Sequence, residues 1–105
     1  MSETATVARF NYPVKLIGVL GSAARTRQIM IETDRALSLF DLINRLVTQV
    51  NNPQFEALLI DSSMRSSLPN VIILLNDQDC NLFQGLRTEL EPGTHVTIIP
   101  VAHGG

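Results

Sequence analysis

The clearest periodic pattern lies in the middle of the chain. Its apolar residues recur at helical spacing, at Leu39, Leu42, Ile43, Leu46, Val47 and Val50. Ser38 stands at the N-cap position, and Asp41 follows three residues later, as in a capping box. Asn51-Asn52-Pro53 ends the pattern, because a residue before proline disfavours helical backbone. The sequence therefore predicts an amphipathic helix over about residues 38–50.

Shorter β-rich segments surround this helix. We predict strands at 6–12 (closed by Pro13), 27–32, 71–75, 82–86 and 95–100, with a loop over 14–26. Because Val71–Leu75 is apolar without alternation, it indicates a strand that is buried on both faces or covered by a partner. Residues 55–59 favour a short helical turn, and the Ser-rich residues 61–69 favour a loop. Turns are predicted at 76–79 and at 91–94, where Pro92-Gly93 suits a type II turn.

The predicted order of elements is β-β-α-β-(β)-β. A single helix with one apolar face must lie across one face of a mixed sheet. The pattern therefore predicts the α+β class. Among small folds it best suits an ubiquitin-like β-grasp, with four to five strands packed on the main helix. We expect residues 1–100 to form one domain and residues 101–105 to form a flexible C-terminal tail.

Composition excludes several classes of protein. The 105 residues are 45% hydrophobic and 17% charged, which is typical of a folded domain rather than a disordered chain. A net charge of −2 gives no electrostatic footprint for direct binding of nucleic acid. The longest apolar runs have five residues, far short of the ~20 that a membrane-spanning helix needs. We expect a cytoplasmic protein without membrane association.

Candidate catalytic and metal-ligating residues are few. The chain has no dinucleotide fingerprint, P-loop, nucleophile elbow or H-E-x-x-H motif. With Cys80 its only cysteine and His95 and His103 its only histidines, it has no internal disulfide and no closed Cys/His zinc site. Cys80 could act as a nucleophile only if His95 or His103 served as its base. The favoured interpretation is that Cys80 is a small buried apolar side chain. Asp77 and Asp79 are interpreted as turn residues. We therefore expect no catalytic residue, metal or bound cofactor.

The C-terminus carries a different kind of chemistry. Gly104-Gly105 follows the last predicted strand on a segment with no pattern of its own. A terminal carboxylate is a poor acyl donor until it is activated, most directly by attack on the α-phosphate of ATP. To enter another protein's active site it must lie on a thin, unbranched strip of chain, and glycine provides one. The alternative is an incidental, frayed terminus.

A family resemblance extends this interpretation. Residues 71–105, VIILLNDQDCNLFQGLRTELEPGTHVTIIPVAHGG, resemble the C-terminal half of the ubiquitin-related modifiers and of the sulfur carriers of molybdopterin synthase and thiamine synthesis. The shared features are an apolar strand, the Asn76-Asp77 turn, a Leu and Gly block, an acidic Pro-Gly turn, a last strand and Gly-Gly. The segment Leu75–Asp79 and the ending His103-Gly104-Gly105 are most similar to the ubiquitin-related modifier branch.

The resemblance implies a mechanism and partners. An E1-like enzyme would use ATP to adenylate the Gly105 carboxylate, and a sulfur donor would convert it to a thiocarboxylate. That group would supply sulfur for tRNA wobble-uridine thiolation by tRNA thiolation enzymes, and the activated terminus would also acylate lysines of target proteins. The chain would thus be a substrate of enzymes rather than an enzyme. Two alternatives remain: the small subunit of molybdopterin synthase, and a β-grasp interaction module whose Gly-Gly is incidental.

Partner recognition is expected on the sheet face away from the helix. The candidate residues are Ile73, Phe83 and Ile99, together with His103 beside the terminus. Alternatively, residues 54–69 fold over this face and cover it. The chain has seven arginines but one lysine, Lys15, so only Lys15 and the α-amino group offer an amine to the chain's own activated terminus. A bias of the coding sequence towards arginine is the other explanation.

Overall fold

The computed structural model describes residues 10–60 and 71–101. Within these residues the elements are β1 (Phe10–Leu16), α1 (Val19–Ala24), β2 (Gln28–Thr33), α2 (Leu39–Val50), α3 (Pro53–Leu59), β3 (Val71–Leu75), β4 (Gln78–Asp79) and β5 (Val96–Pro100). Two single-turn 3-10 helices, Cys80–Leu82 and Gly85–Arg87, lie between β4 and β5. The predicted strands at 27–32, 71–75 and 95–100 are confirmed to within one residue.

The strands of the described residues form one mixed sheet in the order β2-β1-β5-β3-β4. β1 runs parallel to β5, with Val14 opposite Val96, and the other neighbouring strands are antiparallel. Strands from the two ends of the described chain are therefore neighbours, and β5 lies between β1 and β3. The inner face of the sheet and the helices enclose the core, which includes Tyr12, Val14, Leu42, Leu46, Phe55, Ile73 and Ile98.

The main helix forms as its pattern predicts. Ser38 Oγ accepts a hydrogen bond from the Asp41 N–H at 3.1 Å, and the four apolar residues Leu39, Leu42, Ile43 and Leu46 are buried. Asn51 ends α2 in the left-handed conformation, and Asn52 then caps α3 by accepting hydrogen bonds from two backbone N–H groups. Asn51-Asn52-Pro53 thus ends one helix and begins the next. The turn predicted at 55–59 is part of α3.

The first strand differs from its prediction. Residues 6–9 lie outside the described residues, and the strand continues through Pro13 to Leu16. The N–H of Leu16 donates a hydrogen bond to the Arg27 carbonyl on the β2 side. The N–H of Ile17 donates one to the Ile98 carbonyl on the β5 side. Odd-numbered positions of β1 therefore direct their N–H groups towards β5. Since pairing with β5 begins at Val14, proline at position 13 removes no hydrogen bond from that ladder.

The loop predicted over 14–26 is wrong. Its first part belongs to β1, and residues 19–24 form helix α1, which packs on α3 and β5. Leu20 of this helix is fully buried. Arg25 closes the helix in the left-handed conformation, and its N–H bonds the carbonyls of Gly21 and Ser22.

The strand predicted over 82–86 is also wrong. The chain pairs with β3 earlier, at Gln78–Asp79, and then turns twice. The Asp79 side chain accepts a hydrogen bond from the Asn81 N–H, and Thr88 Oγ1 donates to the Gly85 carbonyl at 2.7 Å. These local hydrogen bonds satisfy backbone groups that a strand would leave for a partner. The turn predicted over 76–79 is confirmed at Asn76 and Asp77, which have positive φ, whereas Gln78 and Asp79 form β4. The turn predicted over 91–94 is confirmed, with positive φ at Gly93.

Tyr12 ties the segment before β5 to the core. Its side chain is fully buried, and its hydroxyl donates a hydrogen bond to the Leu90 carbonyl and accepts one from the Leu37 N–H. Next to it, the Leu90 N–H donates a hydrogen bond to the Leu37 carbonyl, and the Leu39 N–H donates one to the Thr88 carbonyl. The entry to α2 and the segment that leads into β5 are therefore held against one central strand.

Candidate functional site

The end of β5 is the part of the structure nearest to the predicted reactive terminus. Pro100 is the last residue of the strand, and Val101 is the last described residue. The predicted functional residues His103, Gly104 and Gly105 lie outside the described residues. Five residues follow Pro100 in the sequence, and a fully extended segment of that length spans at most about 17 Å. An enzyme that acts on Gly105 must therefore place its active site close to the end of β5.

The sheet face beside this strand end is apolar. Ile72 of β3 lies directly opposite Ile99 of β5, on the face away from the helices. Ile17, which continues the outward-facing side of β1, is brought beside Ile99 by the register of Leu16 opposite Ile98. We call Ile17, Ile72 and Ile99 the outer apolar strip. Ile72 is 41% exposed, so part of this strip is open to a partner.

The placement of Ile73 on this face is wrong. Ile73 is 2% exposed and belongs to the core, whereas its neighbours Ile72 and Leu74 point to the other side of the sheet. Of the two alternatives predicted for β3, burial on both faces by the described residues is wrong for the same reason, and cover by a partner stays a prediction. Five consecutive apolar residues give no alternation from which to tell the two faces apart. Ile72, which the sequence analysis missed, therefore takes the place of Ile73 in the candidate site.

Phe83 is exposed but lies elsewhere. It follows the 3-10 turn Cys80–Leu82 and shares a cavity with Leu75 and Thr94, near the start of β5. The outer apolar strip lies towards the opposite end of that strand, so the structure does not bring Phe83 and Ile99 together. Whether residues 61–69 cover the strip is outside the described residues. Residues 53–59 form α3, which packs into the core through Phe55 and Leu59.

Lys15 occupies the polar part of the outer sheet face. It lies on β1 between Gln28 of β2 and Thr97 of β5, and its side chain is exposed. Together with Asp77 and His95, these residues line a cavity of about 530 Å³. The lysine thus lies on the same face as the outer apolar strip.

Cys80 is a buried thiol. Burial raises the pKa of this thiol, and the nearby negative charge of Asp79 raises it further, against a smaller lowering by a backbone hydrogen bond. The thiol is therefore protonated near neutral pH, which supports its interpretation as a small apolar side chain. Among residues 10–60 and 71–101, no group of three His, Cys, Asp or Glu side chains is placed to hold a metal ion.

We expect Cys80 to react slowly with iodoacetamide in the native protein. Because the reactive species is the thiolate, burial and a raised pKa should slow alkylation at about pH 8 by roughly tenfold or more relative to the urea-unfolded chain. Rates can be followed by intact-protein mass spectrometry, with N-acetylcysteine as a control for the effect of urea on the reagent. The native rate should rise with pH. Equal rates for folded and unfolded protein would show that Cys80 is an accessible, reactive thiol.

A second cavity, missed by the sequence analysis, flanks the end of β5. Its volume is about 760 Å³, and its lining residues are Leu16, Ile17, Gly18, Val19, Gly21, Ser22, Arg25, Thr26 and Arg27. We call this cavity the tail-side groove. A Cβ atom at Gly18 would lie 3.5 Å from Pro100 Cγ, which places one wall of the groove against the last residue of the sheet. Leu20, Ala23 and Ala24 at helical spacing were the available signal for α1, but the glycines at 18 and 21 weakened it.

Known proteins share this sequence pattern and fold. Residues 15–105 match the family model described as Urm1 (Ubiquitin related modifier). The "Ubiquitin-related modifier 1 homolog" of Dictyostelium discoideum is 26% identical over 81 residues, which cover 77% of this chain and 81% of that protein.

Two solved structures extend the likeness to the fold. The crystal structure of SAMP1 from Haloferax volcanii has a TM-score of 0.74 at 19% identity and covers 90% of this chain and 99% of that one. The solution structure of Urm1 from Trypanosoma brucei has a TM-score of 0.73 at 22% identity and covers 92% and 97%, respectively. The predicted α+β class and ubiquitin-like β-grasp fold are confirmed. None of the helices in the described part of the chain is both long and apolar enough to span a membrane.

Proposed function

The chain belongs to the Urm1 family of ubiquitin-related modifiers, and we propose that it works as a sulfur carrier and protein modifier through the carboxyl group of Gly105. The observation that carries the proposal is the extent of the family match, which continues to residue 105 and so includes Gly104-Gly105. The position of β5 supports it, since the segment that ends in Gly-Gly follows directly from this strand.

The proposed chemistry takes place on the terminal carboxylate. A carboxylate oxygen of Gly105 attacks the α-phosphate of ATP in an E1-like enzyme, and pyrophosphate leaves. A hydrosulfide-equivalent donor then displaces AMP from the acyl adenylate, which leaves a thiocarboxylate. The thiocarboxylate supplies sulfur to enzymes that thiolate the tRNA wobble uridine. If a lysine amine displaces AMP instead, an isopeptide bond to a target protein forms. The carrier is the substrate in each step, and the ATP is bound by its activating partner.

We assign recognition of the activating enzyme to the outer apolar strip. The enzyme must reach Gly105 from a docking site near Pro100, because the intervening segment spans at most about 17 Å. Ile72 and Ile99 lie within the last two paired positions of β5, and Ile72 is exposed. Burial of an exposed apolar patch is a general source of binding free energy. His103 remains a predicted contact beside the terminus, and Phe83 is a candidate for a separate partner.

Mass spectrometry of the intact protein tests the proposed function. The full-length chain is incubated with its cognate E1-like enzyme, ATP and a sulfur donor, and its mass is followed over time. We expect the acyl adenylate first and then exchange of one carboxyl oxygen for sulfur, with no change when ATP is left out. If neither product forms at the C-terminus, the carrier function is wrong. Where the chain becomes linked to a target protein, tryptic digestion of the linked product and mass spectrometry of its peptides identify the acceptor lysines.

The alternative function, as the small subunit of molybdopterin synthase, can be distinguished from the proposed one by identifying the protein that the chain binds. Affinity purification from the native cytoplasm should recover an adenylating enzyme together with a tRNA thiolation enzyme. Recovery of a molybdopterin-synthase large subunit instead would favour the alternative. The family match to ubiquitin-related modifiers is the observation that favours the first result.

A further inference from the structure

The tail-side groove combines apolar walls with positive charge. Leu16, Ile17 and Val19 line one part of it, and Arg25 and Arg27 line another. No aspartate or glutamate is among the residues that line this cavity in the described part of the chain. Ile17 and Val19 are exposed, so the apolar wall is open to a partner. The groove thus combines two arginine residues with an accessible apolar surface.

The backbone at Arg25 gives an independent reason to assign a role to this groove. Among the described residues, four non-glycine residues have positive φ, and three of these are Asn or Asp, which tolerate the left-handed region. The fourth is Arg25, with φ 65°, at a helix C-terminus where glycine is the usual residue. Arginine at such a position is conformationally unfavourable. An arginine at this position is therefore a candidate for a role beyond the fold itself.

The groove is continuous with the proposed docking surface. Gly18 lies against Pro100, and Ile17 belongs both to the groove and to the outer apolar strip. An enzyme seated on the strip, within reach of Gly105, would therefore lie next to the groove. Arginine side chains bind carboxylates through paired hydrogen bonds. The apolar wall suits a partner segment that also carries apolar side chains.

We infer that the tail-side groove binds a carboxylate-bearing, partly apolar segment of the enzyme that activates Gly105, with Arg25 and Arg27 as specificity-determining contacts. This inference rests on the proposed function. A nucleic acid is the less favoured occupant, because the chain has a net charge of −2 and five of the nine residues that line the groove are apolar or glycine. Contacts of this kind act mainly on encounter and partner choice rather than on the chemical step.

Charge reversal with a matched control tests the inference. The first variant carries Arg25→Glu and Arg27→Glu, and the control carries Arg35→Glu and Arg45→Glu, which change the net charge equally at a different cavity beside α2. ATP–pyrophosphate exchange by the cognate activating enzyme gives KM and kcat for each full-length protein at low and high salt. We expect KM to rise about tenfold or more for the groove variant, with kcat little changed and with a weaker dependence on salt.

The possible results separate the inference from the proposed function. If the wild-type chain is activated but both variants behave alike, the inference is wrong and the proposed function stands. If the wild-type chain is not activated, both are overturned. Binding of the wild-type chain to tRNA that is lost in the groove variant, measured by fluorescence anisotropy, would also overturn the inference. Should the groove variant fail to fold by circular dichroism, Arg25→Gln with Arg27→Gln replaces it, and the same rise in KM is expected at smaller size.

Discussion

Deletion of Gly105 is expected to abolish thiocarboxylation of the chain by its activating enzyme. The deletion moves the terminal carboxylate back by one residue, or about 3.5 Å of extended chain. A misplacement of about 1 Å in an active site already costs on the order of 100-fold in rate, so a whole residue should reduce the reaction below detection. The product is measured by intact-protein mass spectrometry after incubation with the enzyme, ATP and a sulfur donor.

Two controls show whether the loss reflects the position of the carboxylate. Addition of one glycine after Gly105 keeps the Gly-Gly sequence but displaces the carboxylate in the opposite direction, and it should be nearly as damaging as the deletion. Circular dichroism and the melting temperature test that the sheet, whose last strand ends at Pro100, is retained in all three proteins. Full thiocarboxylation of the shortened chain would rule out Gly105 as the reacting residue.

Substitution of Phe55 by alanine is expected to produce the largest loss of stability among single changes in α3. Phe55 is 0% exposed and lies in the first turn of the helix, where its N–H is capped by Asn52. Removal of a fully buried phenylalanine side chain costs about 3–5 kcal/mol, because it combines lost apolar burial with a cavity. Since domains of this size have about 5–15 kcal/mol of stability in total, the variant should be close to the limit of folding.

Phe40 provides a matched control for this substitution. It is also in the first turn of a helix, but its side chain is 49% exposed. Phe40→Ala should therefore cost about 1 kcal/mol or less, since half of its apolar surface is already in water. Urea unfolding followed by circular dichroism gives both free energies of unfolding. Equal losses for the two variants would show that α3 does not contribute to the core as described.

The helix α2 and the strands β3 and β5 could be predicted because their signals are local and repeated. Six apolar residues at helical spacing and a capping serine specify α2 without reference to the rest of the chain. The turn at Pro92-Gly93 likewise depends only on its own residues, and its Gly93 has the expected positive φ. Pairing of β1 with β5, by contrast, is a property of the assembled sheet.

The errors occur where tertiary structure decides. α1 has six residues, too few for a helix to be stable alone, and burial of Leu20 supports it. Pro13 is tolerated inside β1 because an N–H at this position would face β5 before the pairing of the two strands begins at Val14. No local pattern reveals where that pairing begins. In the segment around 82–86, hydrogen bonds from Asp79 and Thr88 favour turns over the strand that its apolar residues indicated.

The candidate site divides in the same way. The proposed chemistry of Gly105 is a prediction from the residue type and its position in the sequence, and residue 105 lies outside the described residues. The binding surface depends on which face of β3 the helices cover. Because the helices cover the face that carries Ile73, the candidate binding residue of β3 is Ile72, which the register places opposite Ile99 of β5. The tail-side groove could not be predicted without α1, since the groove lies where that helix meets the end of the sheet.

The central position of β5 has a consequence for biosynthesis. Without this strand, β1 and β2 form one hairpin and β3 and β4 another, and an isolated two-stranded hairpin is at best marginally stable in water. A nascent chain can close the sheet only after β5 has emerged from the ribosome. Contacts between the first and last strands also give the fold a high contact order, which slows folding. A chain that ended before β5 would therefore lack a closed sheet and would be left with two separate hairpins.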